Sequence, residues 1–125
     1  MNIQTFTVYR TTTAFMDTLN NSTHNLDLHR QRSLDGNDLA VQAINTLLNS
    51  QKLIPVALVT CNADNDDLFR LTNSINDFWG NNKEVALLAN AEQGFLSSST
   101  VGDIYQDCTG QYFVYQCAGV MPFDH

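Results

Sequence analysis

Hydrophobic and polar residues alternate over residues 2–10, with Phe6 and Val8 falling on one side and Thr5, Thr7 and Tyr9 on the other. A period of two in β-favouring residue types predicts a strand. Thr13 to Leu19, with Ala14, Phe15 and Leu19 available for burial, predicts a short helix that Asn20-Asn21-Ser22-Thr23 interrupts. Residues 20–36 carry isolated Leu26, Leu28 and Leu34 among Asn, His, Arg and Asp. The expectation there is an exposed loop with a short strand around Leu26 to His29, closed by an Asp35-Gly36 turn.

The clearest helical pattern follows. Asn37 is a candidate N-cap and Asp38 suits the positive end of the helix dipole. Leu39, Ala43 and Leu47 form one row at i, i+4 spacing, and Ala40, Ile44 and Leu48 form the next, making one continuous apolar face. Asn49-Ser50-Gln51 ends it. Pro55 to Cys61 is a nearly unbroken apolar run of strand length, as in a strand covered on both faces. Asp66 and Asp67 suit the first turn of a further helix whose inward positions are Leu68, Leu71, Thr72 and Ile75. Glu84 to Ala89 predicts a strand and Asn90 to Ser98 a loop. Thr100 to Gln106 and Gln111 to Cys117 predict a hairpin turning at Thr109-Gly110, and Val120 to Phe123 a short last strand. The summed expectation is an α+β fold in one domain over residues 1–125. It has a small, largely antiparallel sheet of four to six strands with two main helices packed on it.

Composition narrows the functional classes. The 125 residues hold 13 Asp plus Glu against 6 Lys plus Arg, a formal charge of −7. Repulsion from phosphates argues against direct nucleic-acid binding. The nearest approach to a basic stripe is Arg30 and Arg32, with Asp27 and Asp35 close by. Acidity fits a basic protein partner, mimicry of DNA against a nucleic-acid-binding protein, or plain solubility. No apolar run reaches the ~18 residues of a membrane span, and the first residues lack the pattern of a signal peptide. Cys61, Cys108 and Cys117 show no CxxC spacing and read as free thiols of a reducing compartment, so the expected location is the cytoplasm.

The second half carries a recognisable order of motifs. A strand, Val56-Ala57-Leu58-Val59, leads to Asp67-Leu68-Phe69-Arg70-Leu71-Thr72-Asn73-Ser74-Ile75 and then Phe78-Trp79-Gly80-Asn81. Ser98-Ser99-Thr100-Val101-Gly102-Asp103-Ile104, Gly110-Gln111-Tyr112-Phe113-Val114 and Gly119 come after a gap. Over residues 55–123 this resembles the small YodL-like domains of bacteria, phages and mobile elements. Ser97 stands where many of those domains have Arg, and Gly119 is followed by Val120 rather than an aromatic residue. The resemblance implies a fold and a phage or mobile-element origin, with host cytoplasm as the location in that case. It implies no particular activity.

Candidate chemistry is sparse. Ser98, Ser99, Thr100, Gly102 and Asp103 form a hydroxyl-rich loop that could bind phosphate, or could simply lead the chain into the hairpin. In the second reading Gly102 permits a tight bend and Asp103 accepts hydrogen bonds from neighbouring amides. No GxSxG or adjacent histidine activates a serine there. His24 and His29 flank Asp27 but share no helical face, and Asp64, Asp66 and Asp67 miss the calcium-loop spacing, so no metal is expected. Arg10, followed by Thr11-Thr12-Thr13, could join Ser98–Thr100 in a small nucleotide-using enzyme, or pair with an acid at a sheet edge. Phe78, Trp79 and Asn81 are contact-surface candidates, with packing of Trp79 over the second helix as the alternative. Tyr112 and Tyr115 fall on opposite sides of their strand, one side being core and the other open to a partner or second copy.

The leading expectation is a non-catalytic protein-interaction module, a phage or mobile-element accessory that binds a host protein. No catalytic residues and no cofactor are expected, and an exposed sheet edge would allow a homodimer. The alternatives are the acidic DNA mimic and the small enzyme built on Arg10.

Overall fold

A computed structural model describes residues 3–32, 38–62, 84–96, 102–116 and 119–125. Six strands form one antiparallel sheet: β1 (Ile3–Thr11), β2 (Leu53–Asn62), β3 (Val85–Leu87), β4 (Ile104–Gln106), β5 (Tyr112–Gln116) and β6 (Gly119–Phe123). Their order across the sheet is β3-β2-β1-β4-β5-β6. Three helices, α1 (Thr13–Asp17), α2 (Thr23–Gln31) and α3 (Asp38–Asn49), link β1 to β2. The fold is α+β, as the residue pattern predicts. The helix expected from Asp66 lies outside the described residues, and so does the proposed Asn37 cap.

Alternation in β1 sorts side chains between two cores. Phe6 and Val8 join Val56, Ala57, Val59 and Tyr105 in one buried cluster, against which Phe113 and Tyr115 pack. Tyr9 packs instead against the cluster of Phe15, Ala43, Ile44, Leu47, Leu53, Ile104, Val114 and Phe123, together with Tyr112. Both faces of β5 therefore meet buried side chains. Tyr112, Phe113 and Tyr115 are nonetheless only half-buried.

Two further segments differ from expectation. Residues 23–31, read as loop or strand, are helical. The Ser22 side chain accepts from the Asn25 amide at 3.2 Å and caps the first turn. Asn25 in turn donates to the Thr18 hydroxyl at 2.8 Å, tying α2 to the turn after α1. Only Leu28 is a buried apolar residue of this helix, so its apolar stripe is too thin to read by periodicity. Ala89–Gln93, read as the last residue of a strand and the start of a loop, is a 3₁₀ turn.

The β1–β2 ladder is irregular. Val8 opposes Ala57 and Tyr9 opposes Pro55, leaving Val56 as an extra residue on β2. Val56 is fully buried, and a Cβ on Gly94 would lie 2.6 Å from its Cγ1. Gly94 thus lets the chain after the 3₁₀ turn press against the bulge, where it bridges Thr12 and the Phe95 amide bonds the Thr11 carbonyl at 2.8 Å.

The end of α3 has a definite geometry. The Lys52 amide bonds the Leu47 carbonyl at 2.9 Å and the Gln51 amide bonds the Leu48 carbonyl at 3.2 Å. These are the paired bonds of a Schellman motif, whose turning residue is left-handed and normally glycine. Gln51 occupies that position with φ of 59°. A residue with a Cβ costs roughly 1 kcal/mol or more there.

Candidate functional site

Two polar features rise from this framework: a buried ionic cluster and an uncharged cleft. The cluster follows from strand register. Tyr9 pairs with Ile104 across β1 and β4. One more step of that register sets Arg10 opposite Asp103. Nη2 of Arg10 lies 3.6 Å from Oδ2 of Asp103. Arg32, at the C-cap of α2, brings its Nη1 to 3.8 Å from the other carboxylate oxygen. The same Nη1 donates to the Gly102 carbonyl at 2.8 Å. Gly102 has φ of 95°, a left-handed bend that glycine permits and that turns the carbonyl toward Arg32.

Arg10, Asp103 and Arg32 are 2%, 2% and 6% exposed. Burial draws the Arg32 pKa below its ordinary value, with Arg10 adding to the effect and Asp103 opposing it. Arginine still keeps its proton. Nε of Arg32 lies 3.5 Å from Nδ1 of His29. Partial burial, then the Arg32 charge, hold this imidazole below its ordinary pKa of 6.5. In this arrangement the three charges join α2 to the middle of the sheet.

Several expectations are corrected here. Arg10 does pair with an acid, but between the two central strands rather than at a sheet edge. Asp103 pairs with two guanidiniums. Arg32, read as part of an exposed basic pair, is buried. The Arg10 guanidinium is buried, and Ser98–Thr100, its partners in the nucleotide-enzyme reading, lie outside the described residues. Phe78, Trp79, Asn81, Ser98, Ser99 and Thr100 lie outside the described residues. Tyr112 and Tyr115 pack, half-buried, against opposite cores.

The second feature is a cleft of about 480 Å³ between the end of α3, the 3₁₀ turn and the sheet. Leu48, Leu53, Ile54 and Pro55 supply apolar surface, and Tyr9 and Tyr112 an aromatic wall. The two tyrosine rings lie 5.7 Å apart, tilted by 57°. The Tyr9 hydroxyl donates to Oε1 of Gln106 at 3.1 Å. Burial and a hydrogen bond with Tyr112 raise its pKa well above the ordinary 10, so it stays protonated. Gln51 comes from the left-handed turn after α3, and Asn90 and Gln93 from the 3₁₀ turn. His125 packs edge-on against Tyr112 at 5.3 Å and sets Nδ1 2.8 Å from Oδ1 of Asn45.

No family model, no curated protein and no solved structure matches this chain.

Among the described residues, no three His, Cys, Asp or Glu side chains gather as metal ligands. No described helix is long and apolar enough to cross a membrane. Residue patterns pointed to neither the cleft nor Arg32's partner. Both arise from contacts between segments far apart in sequence. The local signal nearest to hand was Gln51 directly after a helix, where glycine is the usual stop.

Proposed function

We propose that the chain is a non-catalytic protein-interaction module whose docking border is β3. The observation that carries this reading is the exposure of that strand. Among the described strands, β3 is three residues long and ends the sheet order, with Leu87 44% exposed and Ala86 exposed beside it. A bordering strand can accept an extended segment of another chain through main-chain hydrogen bonds, and an apolar side chain on it adds specificity. The opposite border carries Pro122, which has no N–H to offer. The formal charge of −7 suits a basic partner. The resemblance to YodL-like domains supports an accessory role in a phage or mobile element, with a host protein as the partner in the host cytoplasm. The same border could join two copies of the chain.

Affinity capture from host lysate with the wild type and with Leu87→Lys, each at low and high salt, tests the reading. A protein retained by the wild type and lost with Leu87→Lys is the expected result, and its loss at high salt marks a basic partner. Equal recovery on both baits, or recovery on neither, overturns the assignment of β3. A sedimentation run reports self-pairing separately.

A further inference from the structure

We propose that the cleft at the end of α3 binds an uncharged, planar heterocycle of the nucleoside type. Its three carboxamides come from two separate segments. Gln51 stands on one side, while Asn90 and Gln93 stand on the 3₁₀ turn. A carboxamide holds a donor and an acceptor side by side, a pattern that pairs with the edge of a nucleobase. Tyr9 and Tyr112 supply ring surface beside them, suited to the flat face of such a ligand. The volume of about 480 Å³ falls in the range of small-molecule sites.

Charge narrows the class. Among the described residues, no Asp, Glu, Lys or Arg lines the cleft. A phosphate would find no permanently charged cation among them, only the His125 imidazole, and would meet a protein of charge −7. The ligand is therefore a nucleoside or free base rather than a nucleotide or a polynucleotide.

Gln51 supplies an independent reason to regard the cleft as more than polar surface. Its backbone is left-handed, φ 59°, at a position where glycine closes the helix without strain. A strained residue whose side chain reaches a cleft is the kind of outlier from which a binding role can be inferred. The carboxamide explains why a residue with a side chain stands there.

The test uses the full chain labelled with ¹⁵N, titrated separately with adenosine, guanosine, cytidine, uridine and their 5′-monophosphates. At least one nucleoside should give saturable shifts in the side-chain amides of Gln51, Asn90 and Gln93, and its monophosphate should bind no more tightly. Gln51→Gly should melt at a higher temperature than wild type yet bind that nucleoside about fivefold more weakly, the worth of one net hydrogen bond. Asn90→Ala, on the exposed 3₁₀ turn, should weaken it similarly. The proposal is overturned by the lack of saturable shifts with any nucleoside at millimolar concentration, or by shifts centred elsewhere. Unchanged affinity in both variants, or tighter binding of the monophosphate, overturns it equally.

Discussion

Helices α2 and α3 lie next to each other in sequence and are held by opposite means. α3 buries Ala40, Ala43, Ile44 and Leu47, the last three in the apolar cluster that holds Leu53, Ile104 and Val114 of the sheet. α2 buries one apolar residue, Leu28, and is anchored at its two ends. Ser22 caps its start, and Arg32 at its finish reaches Asp103 and the Gly102 carbonyl. A helix can thus be fixed by a continuous stripe of weak contacts or by a few directional ones. The second kind concentrates its stability in single atoms.

The sharpest break of this contrast is Asp103→Asn. It leaves two buried guanidiniums without the carboxylate between them, and loss of one partner of a buried pair costs about 3–5 kcal/mol. Hydrogen exchange should show amides of α2 losing protection before those of α3. Uniform loss in both helices would mean that the carboxylate holds the sheet rather than α2.

Ile44→Ala should cost about 2–5 kcal/mol by removing fully buried side-chain volume. Its effect should be a lower global melting temperature, with α2 and α3 affected together. Ser22→Ala should cost about 1 kcal/mol, confined to α2. A matching loss of protection in α3 would show that the two helices unfold as one unit.

The smallest expected effect is one of pH. His29 has a folded-state pKa below 6.5, so the unfolded chain binds more protons as acid is added. Stability should be flat in this respect above pH 6.5. It should decline as pH falls through 6.5, until the folded imidazole is protonated as well. His29→Gln should remove that slope from the α2 amides, and an unaltered slope would assign it to another group.

The same contrast explains what could be read from the chain. β1, β2, α3 and the β4–β5 hairpin were legible because each carries its own periodicity or turn signal. Gly102 was rightly marked as a bend. α2 is not legible because its anchor, Asp103, lies 71 positions beyond Arg32, and Leu26 and Leu28, two positions apart, form no helical stripe. Arg10 was expected to meet an acid, yet its location required knowing the β1–β4 register. The bulge at Val56 left no separate mark in an apolar run. The cleft was invisible for a related reason: Gln51, Asn90 and Tyr9 are ordinary surface-compatible residues until the sheet brings them together.

Pro122 has a consequence for assembly. One flank of the sheet is blunted by a residue that cannot donate, which leaves the β3 flank as the better place to add a strand. Copies joined there about a twofold axis would use up both of their receptive flanks at once. Such growth ends at a pair, whereas a sheet receptive on both sides could continue into a filament.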